Sequence, residues 1–176
     1  MATEQDKTAE ALKIAIQMEI DGKEFYRKAS QESRNDPGKK LMKSLSDEED
    51  VHRQKFEEIY ESIRSKNEWP EVEFHPDDGQ SLKTMFARAT ASIDSSVNVS
   101  ATELDAVQTA MDMENKTYDF YIEHSKSAAY DTEKKYYQAL AVQERAHHAV
   151  LLDYYEFLKN PGAWFVQKEH PSLDGG

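Results

Sequence analysis

Glu49-Asp50-Val51-His52 and, 95 residues further on, Glu144-Arg145-Ala146-His147 are the two stretches that decide how this chain folds. Positions three apart on an α-helix share a face, so each tetrad aims a carboxylate and an imidazole at the same point. Both tetrads fall where a helix seam asks for apolar side chains. Met42, Leu45, Glu49, His52, Phe56, Ile59 and Ile63 follow one another at helical spacing, as do Tyr137, Leu140, Glu144, His147, Leu151, Tyr154 and Leu158. A carboxylate and an imidazole on an inward-facing seam are metal-ligand geometry.

A single Glu-x-x-His in an acidic helical chain is ordinarily a solvated helix face. Here the 95-residue shift that superimposes the tetrads also carries Met18-Glu19 onto Met113-Glu114, Phe25-Tyr26 onto Phe120-Tyr121, Trp69 onto Trp164 and His75-Pro76 onto His170-Pro171, with no gap. The chain reads as an internal duplication. Each half supplies one helical hairpin whose apolar face needs the other, so residues 1–176 are expected to form one domain. Repeat one covers about residues 8–76 and repeat two about 103–171, with a crossover over 66–101.

Taken in order, the seam of Leu12, Ala15, Glu19, Gly22, Tyr26 and Ala29 predicts a first helix over 8–35, and Asn35-Asp36-Pro37-Gly38 a turn into a second over 38–65. Trp69-Pro70, His75-Pro76 and Asp78-Gly79 then break the pattern, leaving only a short helix over 82–93. A helix of 28 residues is roughly 42 Å long, so a connection of this length returns along the bundle and makes the second and third helices parallel. Such a crossover marks an all-α, ferritin-like four-helix bundle. The third helix is expected over 103–129 with Thr102 as N-cap and a seam of Val107, Ala110, Glu114, Thr117, Tyr121 and His124, and the fourth over 132–159. Asn160-Pro161-Gly162 ends it, and the tail, 163–176, is expected to pack its indole against the bundle end.

The 176 residues carry 34 Asp and Glu against 22 Lys and Arg, a formal net charge of −12, which repels phosphate backbones and anionic membranes. Neither a nucleic acid nor a membrane partner is expected. With no apolar run near the ~18 residues of a membrane span and no signal-peptide core at the N-terminus, the expected location is the cytoplasm. Cysteine is absent, so disulfides, thiolate metal sites and cysteine nucleophiles are excluded from this chain. Any metal is held by nitrogen and oxygen.

Four helices each place one carboxylate on the inward seam, Glu19, Glu49, Glu114 and Glu144, and two of them add His52 and His147. Four buried, unpaired carboxylates repel one another and lose their hydration. Two divalent cations balance their charge. Oxygen and imidazole donors suit iron or manganese, with zinc as a further occupant. Glu24, Glu48, Asp112 and His148 adjoin or nearly adjoin the seam and are expected on the outer faces, with support of a ligand from behind as the other role open to each, and His148 is the alternative ligand if its helix is rotated.

With these residues in place, the chain resembles the rubrerythrin-like members of the ferritin-like superfamily, over residues 8–159. The resemblance implies a non-haem di-iron carboxylate site ligated by Glu19, Glu49, His52, Glu114, Glu144 and His147, with Glu49 and Glu144 as bridges, and a redox reaction with hydrogen peroxide or dioxygen. There are two departures. Rubrerythrins proper carry a four-cysteine rubredoxin domain, absent here, so the electrons come from an external donor protein. They also carry a further glutamate one turn after the third-helix ligand, where this chain has Thr117. Tyr26 and Tyr121 lie one heptad beyond Glu19 and Glu114, and their hydroxyls are expected on ligand carboxylates, with a catalytic role, in electron donation or in hydrogen bonding to a peroxo intermediate, as the alternative. Gly22 is expected to open a substrate pocket. The expected function is peroxide detoxification by a homodimer. The alternatives are a ferroxidase serving iron storage or detoxification, and a redox-silent metal-bound structural module.

Overall fold

The structure, a computed structural model, describes residues 1, 3–93, 97 and 99–169. Helix α1 (Glu4–Glu32) starts four residues earlier than the seam suggested, because Thr3 and Asp6 form a capping box: the Thr3 hydroxyl accepts from the Asp6 N–H, and the Asp6 carboxylate accepts from the Thr3 N–H. Helix α2 (Asp36–Lys66) is capped by the Asn35 side chain, which accepts from the Gly38 N–H at 2.8 Å, with Pro37 in the first turn. It stops at Asn67, whose φ of 57° is left-handed.

The crossover runs to a turn in which the Asp77 carboxylate accepts from the Gly79 and Ser81 N–H groups, and α3 (Gln80–Ala91) follows. Gly79 sits at φ 74°, and a Cβ there would stand 2.8 Å from that of Ala146. Glycine takes that backbone conformation without strain, and only the lack of a Cβ allows that approach to the helix beneath. Helix α4 (Ala101–Ser127) is capped by Ser100, not by Thr102, which lies inside the first turn. Helix α5 (Asp131–Lys159) has Glu133 folded back onto the Ala129 and Tyr130 N–H groups.

The tail departs from expectation. Asn160-Pro161-Gly162 ends α5 and at once begins α6 (Pro161–Glu169): the Asn160 side chain accepts from the Ala163 N–H, and proline fits a first helical position, where its missing N–H has no partner to lose. Trp164 then lies with its ring centroid 6.0 Å from Phe86 and 6.2 Å from Phe157, so the indole does pack on the bundle end. His170-Pro171 falls outside the described residues.

Among the described residues there is no strand, and α1 lies along α2, α4 along α5, with α3 laid over α2 and α5. The chain is an all-α, ferritin-like helical bundle. Its apolar interior comes in two blocks. One holds Leu41, Met42, Leu45, Val107, Met111, Val150 and Leu151, roofed by Leu82 and Phe86 of α3; the other holds Leu12, Ala15, Phe56, Ile59, Ile63, Tyr137 and Leu140, with Trp69 of the crossover at its edge. Each fully buried Leu, Ile or Phe contributes about 1.5–3 kcal/mol, so either block holds its helices together. On every long helix the six polar seam residues fall between the two blocks: Glu19 between Ala15 and Tyr26, Glu49 and His52 between Leu45 and Phe56, Glu114 between Met111 and Tyr121, and Glu144 and His147 between Ala141 and Val150. A polar layer crosses the middle of an apolar bundle.

Candidate metal centre

The helical spacing that makes Glu49 and His52 neighbours on α2, and Glu144 and His147 neighbours on α5, delivers all six residues to one place, and none is more than 4 % exposed. Glu19, Glu49 and His52 bring one donor atom each to within 4.8 Å of one another, and so do Glu49, Glu114, Glu144 and His147. Glu49 belongs to both sets. Glu144 spans the same gap, with Oε1 3.6 Å from His52 Nδ1 and Oε2 3.9 Å from His147 Nδ1. The two rings lie nearly parallel, with centroids 5.9 Å apart.

Each of the six keeps one buried donor atom with no hydrogen-bond partner: Glu19 Oε2, Glu49 Oε1, His52 Nδ1, Glu114 Oε2, Glu144 Oε1 and His147 Nδ1. These atoms face one another. His52 Nδ1 stands 3.4 Å from Glu19 Oε2, and His147 Nδ1 stands 3.1 Å from Glu49 Oε1 and 3.5 Å from Glu114 Oε2. An unsatisfied buried polar atom costs about 1–3 kcal/mol, so six converging on one point form a donor set that fits cations.

The electrostatics of the protein without cations point the same way. Burial, aided by neighbouring carboxylates, pushes Glu49 and Glu144 well above the carboxylate range, and burial pushes Glu19 up to about 7. Burial acts on Glu114 as well, but the adjacent His147 imidazolium, a hydrogen bond from Glu144 and the Tyr26 hydroxyl together outweigh it and hold Glu114 down to about 2. For His147 the desolvation that would discharge it is overcome by Glu114, Glu48 and Glu49, and its pKa rises, whereas burial lowers that of His52. In the absence of metal the cluster therefore keeps protons on carboxyl groups that a metal would displace.

The two tyrosines meet the glutamates crosswise. Tyr26 of α1 donates to Glu114 Oε1 on α4, and Tyr121 of α4 donates to Glu19 Oε1 on α1. Each of these glutamates thus spends one oxygen on a phenol and points the other at the centre.

One of the sequence expectations does not hold. Gly22 opens no pocket: its missing side chain makes room for Glu49, whose Oε2 would stand 3.0 Å from a Cβ at that position. Of the two places open to Glu48, an outer face or a position behind a cluster residue, the structure shows the second: it leans into the bundle, where its Oε2 accepts from Gln143 Nε2 at 2.5 Å and lies 2.8 Å from His147 Nε2. That contact fixes His147 with its other nitrogen toward the centre. Periodicity assigned Glu48 to the outside because it precedes a seam residue; the signal in the sequence was its repeat-equivalent Gln143, also polar and also directly before a cluster glutamate. A cleft of about 270 Å³ lies above this pair, bordered by Val51, His52, Phe74, His75, Asp77 and Ser81.

No helix among the described residues is long and apolar enough to cross a membrane. Compared with known proteins, residues 10–155 match the model of the Rubrerythrin family. No curated protein and no solved structure gives a match.

Proposed function

The chain belongs to the rubrerythrin family, and from that footing we propose that it is a non-haem di-iron oxidoreductase that reduces hydrogen peroxide or dioxygen. The observation that carries this is the set of six unpartnered donor atoms buried in one layer of the bundle. Glu19 and His52 would hold one iron, Glu114 and His147 the other, and Glu49 and Glu144 would bridge them. The same donors accept manganese or zinc.

When bound, a pair of irons supplies one-electron redox steps and a Lewis-acidic place for a small oxygen substrate. The chain's own residues supply the rest. The two apolar blocks keep bulk water from the centre. Tyr26 and Tyr121 hold the outer oxygens of Glu114 and Glu19 and so set which oxygen each glutamate turns inward. They act on the reaction through those carboxylates, as positioning groups. Glu48, by accepting from His147 Nε2, holds the neutral ring in the tautomer whose Nδ1 keeps its lone pair for a metal. With no cysteine in the chain there is no iron–thiolate centre to feed the site, so a separate electron-donor protein belongs to this proposal. A homodimer belongs to it as well, with Val142 and Leu152 of α5 nearly half exposed.

Elemental analysis of protein produced with iron, followed by anaerobic reduction and stopped-flow mixing with each oxidant, tests the proposal. About two irons per chain and fast oxidation by peroxide are expected. Faster oxidation by dioxygen, with release of ferric iron, indicates a ferroxidase instead, and a reduced form inert to both oxidants leaves only a structural metal site.

A further inference from the structure

Residues 48 and 143 stand directly before the cluster glutamates Glu49 and Glu144, related by the same 95-residue shift, yet one is glutamate and the other glutamine. The side chains do not act alike. Glu48 reaches across from α2 to the outer nitrogen of His147 on α5, at 2.8 Å. Gln143 does not return the favour to His52. Its amide is turned to the same Glu48 oxygen, and its own Oε1 is buried without a partner.

The two histidines therefore live in different surroundings. His147 is fully buried and backed by a carboxylate, which strengthens an imidazole as a donor by accepting its far N–H. His52 has its two carboxylate neighbours, Glu19 and Glu144, on the Nδ1 side, and among the described residues no carboxylate takes the place of Glu48 behind it. Instead its ring borders the cleft beneath the crossover, with the Phe74 ring edge-on at 5.5 Å and the half-exposed Val51 at the rim.

Resting on the metal-centre reading above, we infer that the two metal positions are unequal. The His147 position is the tight one, made so by Glu48. The His52 position is the exchangeable one, filled and emptied through the cleft between α2, α5 and residues 74–81. A glutamine at 143 in place of a second backing carboxylate is what makes the difference.

Anaerobic titration of the metal-free protein with Co²⁺, followed by calorimetry and visible absorbance, tests this. The wild type is expected to take two equivalents in resolved steps. Glu48→Gln is expected to weaken the first step by about 10–100-fold, the usual effect of losing a backing carboxylate, while the second step stays close to its wild-type value. A general loss of structure would lower both. Val51→Trp, on the rim and away from the donors, is expected to slow filling of the second equivalent in stopped flow while the final stoichiometry stays at two. Equal affinities in the wild type, equal losses at both steps in Glu48→Gln, or an unchanged second-step rate in Val51→Trp would each overturn the inference. Failure to bind Co²⁺ at all would overturn the metal-centre reading itself, and is distinguishable from those results.

Discussion

The phenol of Tyr26 on α1 is hydrogen-bonded to the carboxylate of Glu114 on α4, a buried link between the two helical hairpins in the plane of the polar layer. Tyr26→Phe keeps the ring in its apolar block and removes only the hydroxyl, leaving Glu114 Oε1 buried without its donor. A hydrogen bond to a charged group is worth about 1.5–3 kcal/mol, and urea unfolding of the metal-free variant is expected to show a loss of that order. Tyr121→Phe is expected to behave alike through Glu19. Both variants keep their metal content, because the donor atoms turned to the centre are untouched; loss of metal would show that the phenols are themselves ligands.

Stability of the metal-free protein should fall as pH rises from about 5 to 8. Glu19 has its folded pKa raised to about 7 and those of Glu49 and Glu144 are raised further, so between the ordinary carboxylate range and these values the folded state binds more protons than the unfolded chain. His147, also raised, acts in the same direction, and only His52, lowered by burial, opposes them. Glu114, held down to about 2, contributes a constant stabilisation over this range that is lost only as pH falls below the ordinary carboxylate range. Metal binding displaces the same protons, so the stabilisation gained from added metal should grow over that pH range. Calorimetric melting of both forms at several pH values checks the two opposite slopes.

The four long helices and the burial of the six polar seam residues in one layer were legible because burial forces helical periodicity on the sequence, and a charged residue in a seam position stands out against it. Glu48 was legible as a neighbour of the site but not as the partner of His147. Its side chain leaves an outward-leaning position and reaches back to a partner on another helix, and no single-helix pattern records which helix lies opposite. Helix α6 was hidden for a local reason: Pro161-Gly162 both stops one helix and is compatible with starting another, and what decides is Trp164 finding Phe86 and Phe157 to pack on. Gly22 looked like open space because an absent side chain says nothing about which neighbour fills the gap.

Gly22→Ala separates stability from metal retention. Alanine in a helix interior is favoured over glycine by about 1 kcal/mol, but its Cβ would press on Glu49 Oε2 from 3.0 Å. The helix is therefore expected to hold or gain stability while Glu49 shifts and metal affinity drops. Gly22→Leu is expected to lose metal altogether. Metal content measured beside the melting temperature tests this: retention of metal in Gly22→Leu would show that the bundle has room where Glu49 now lies.

Replacing cluster carboxylates by amides should split by sign. Burial, aided by the other carboxylates, pushes the pKa of Glu144 up, so the metal-free fold must take up a proton there at a cost that grows with pH, and Glu144→Gln removes that cost with little change of shape. Glu114 is different: it faces the His147 imidazolium at 3.5 Å and takes the Tyr26 hydrogen bond, so Glu114→Gln leaves a buried cation short of its partner. In the metal-free protein Glu144→Gln is expected to raise the melting temperature at pH 8 and Glu114→Gln to lower it, by about 2–4 °C for each kcal/mol in a chain of this length. Both are expected to weaken metal binding, since both remove a donor. Stability gained at one ligand and lost at the other, with function lost at both, is the signature of a site assembled for a cation at the expense of the empty fold. Two variants that shift the metal-free melting temperature in the same direction would show that the four carboxylates share their protons evenly.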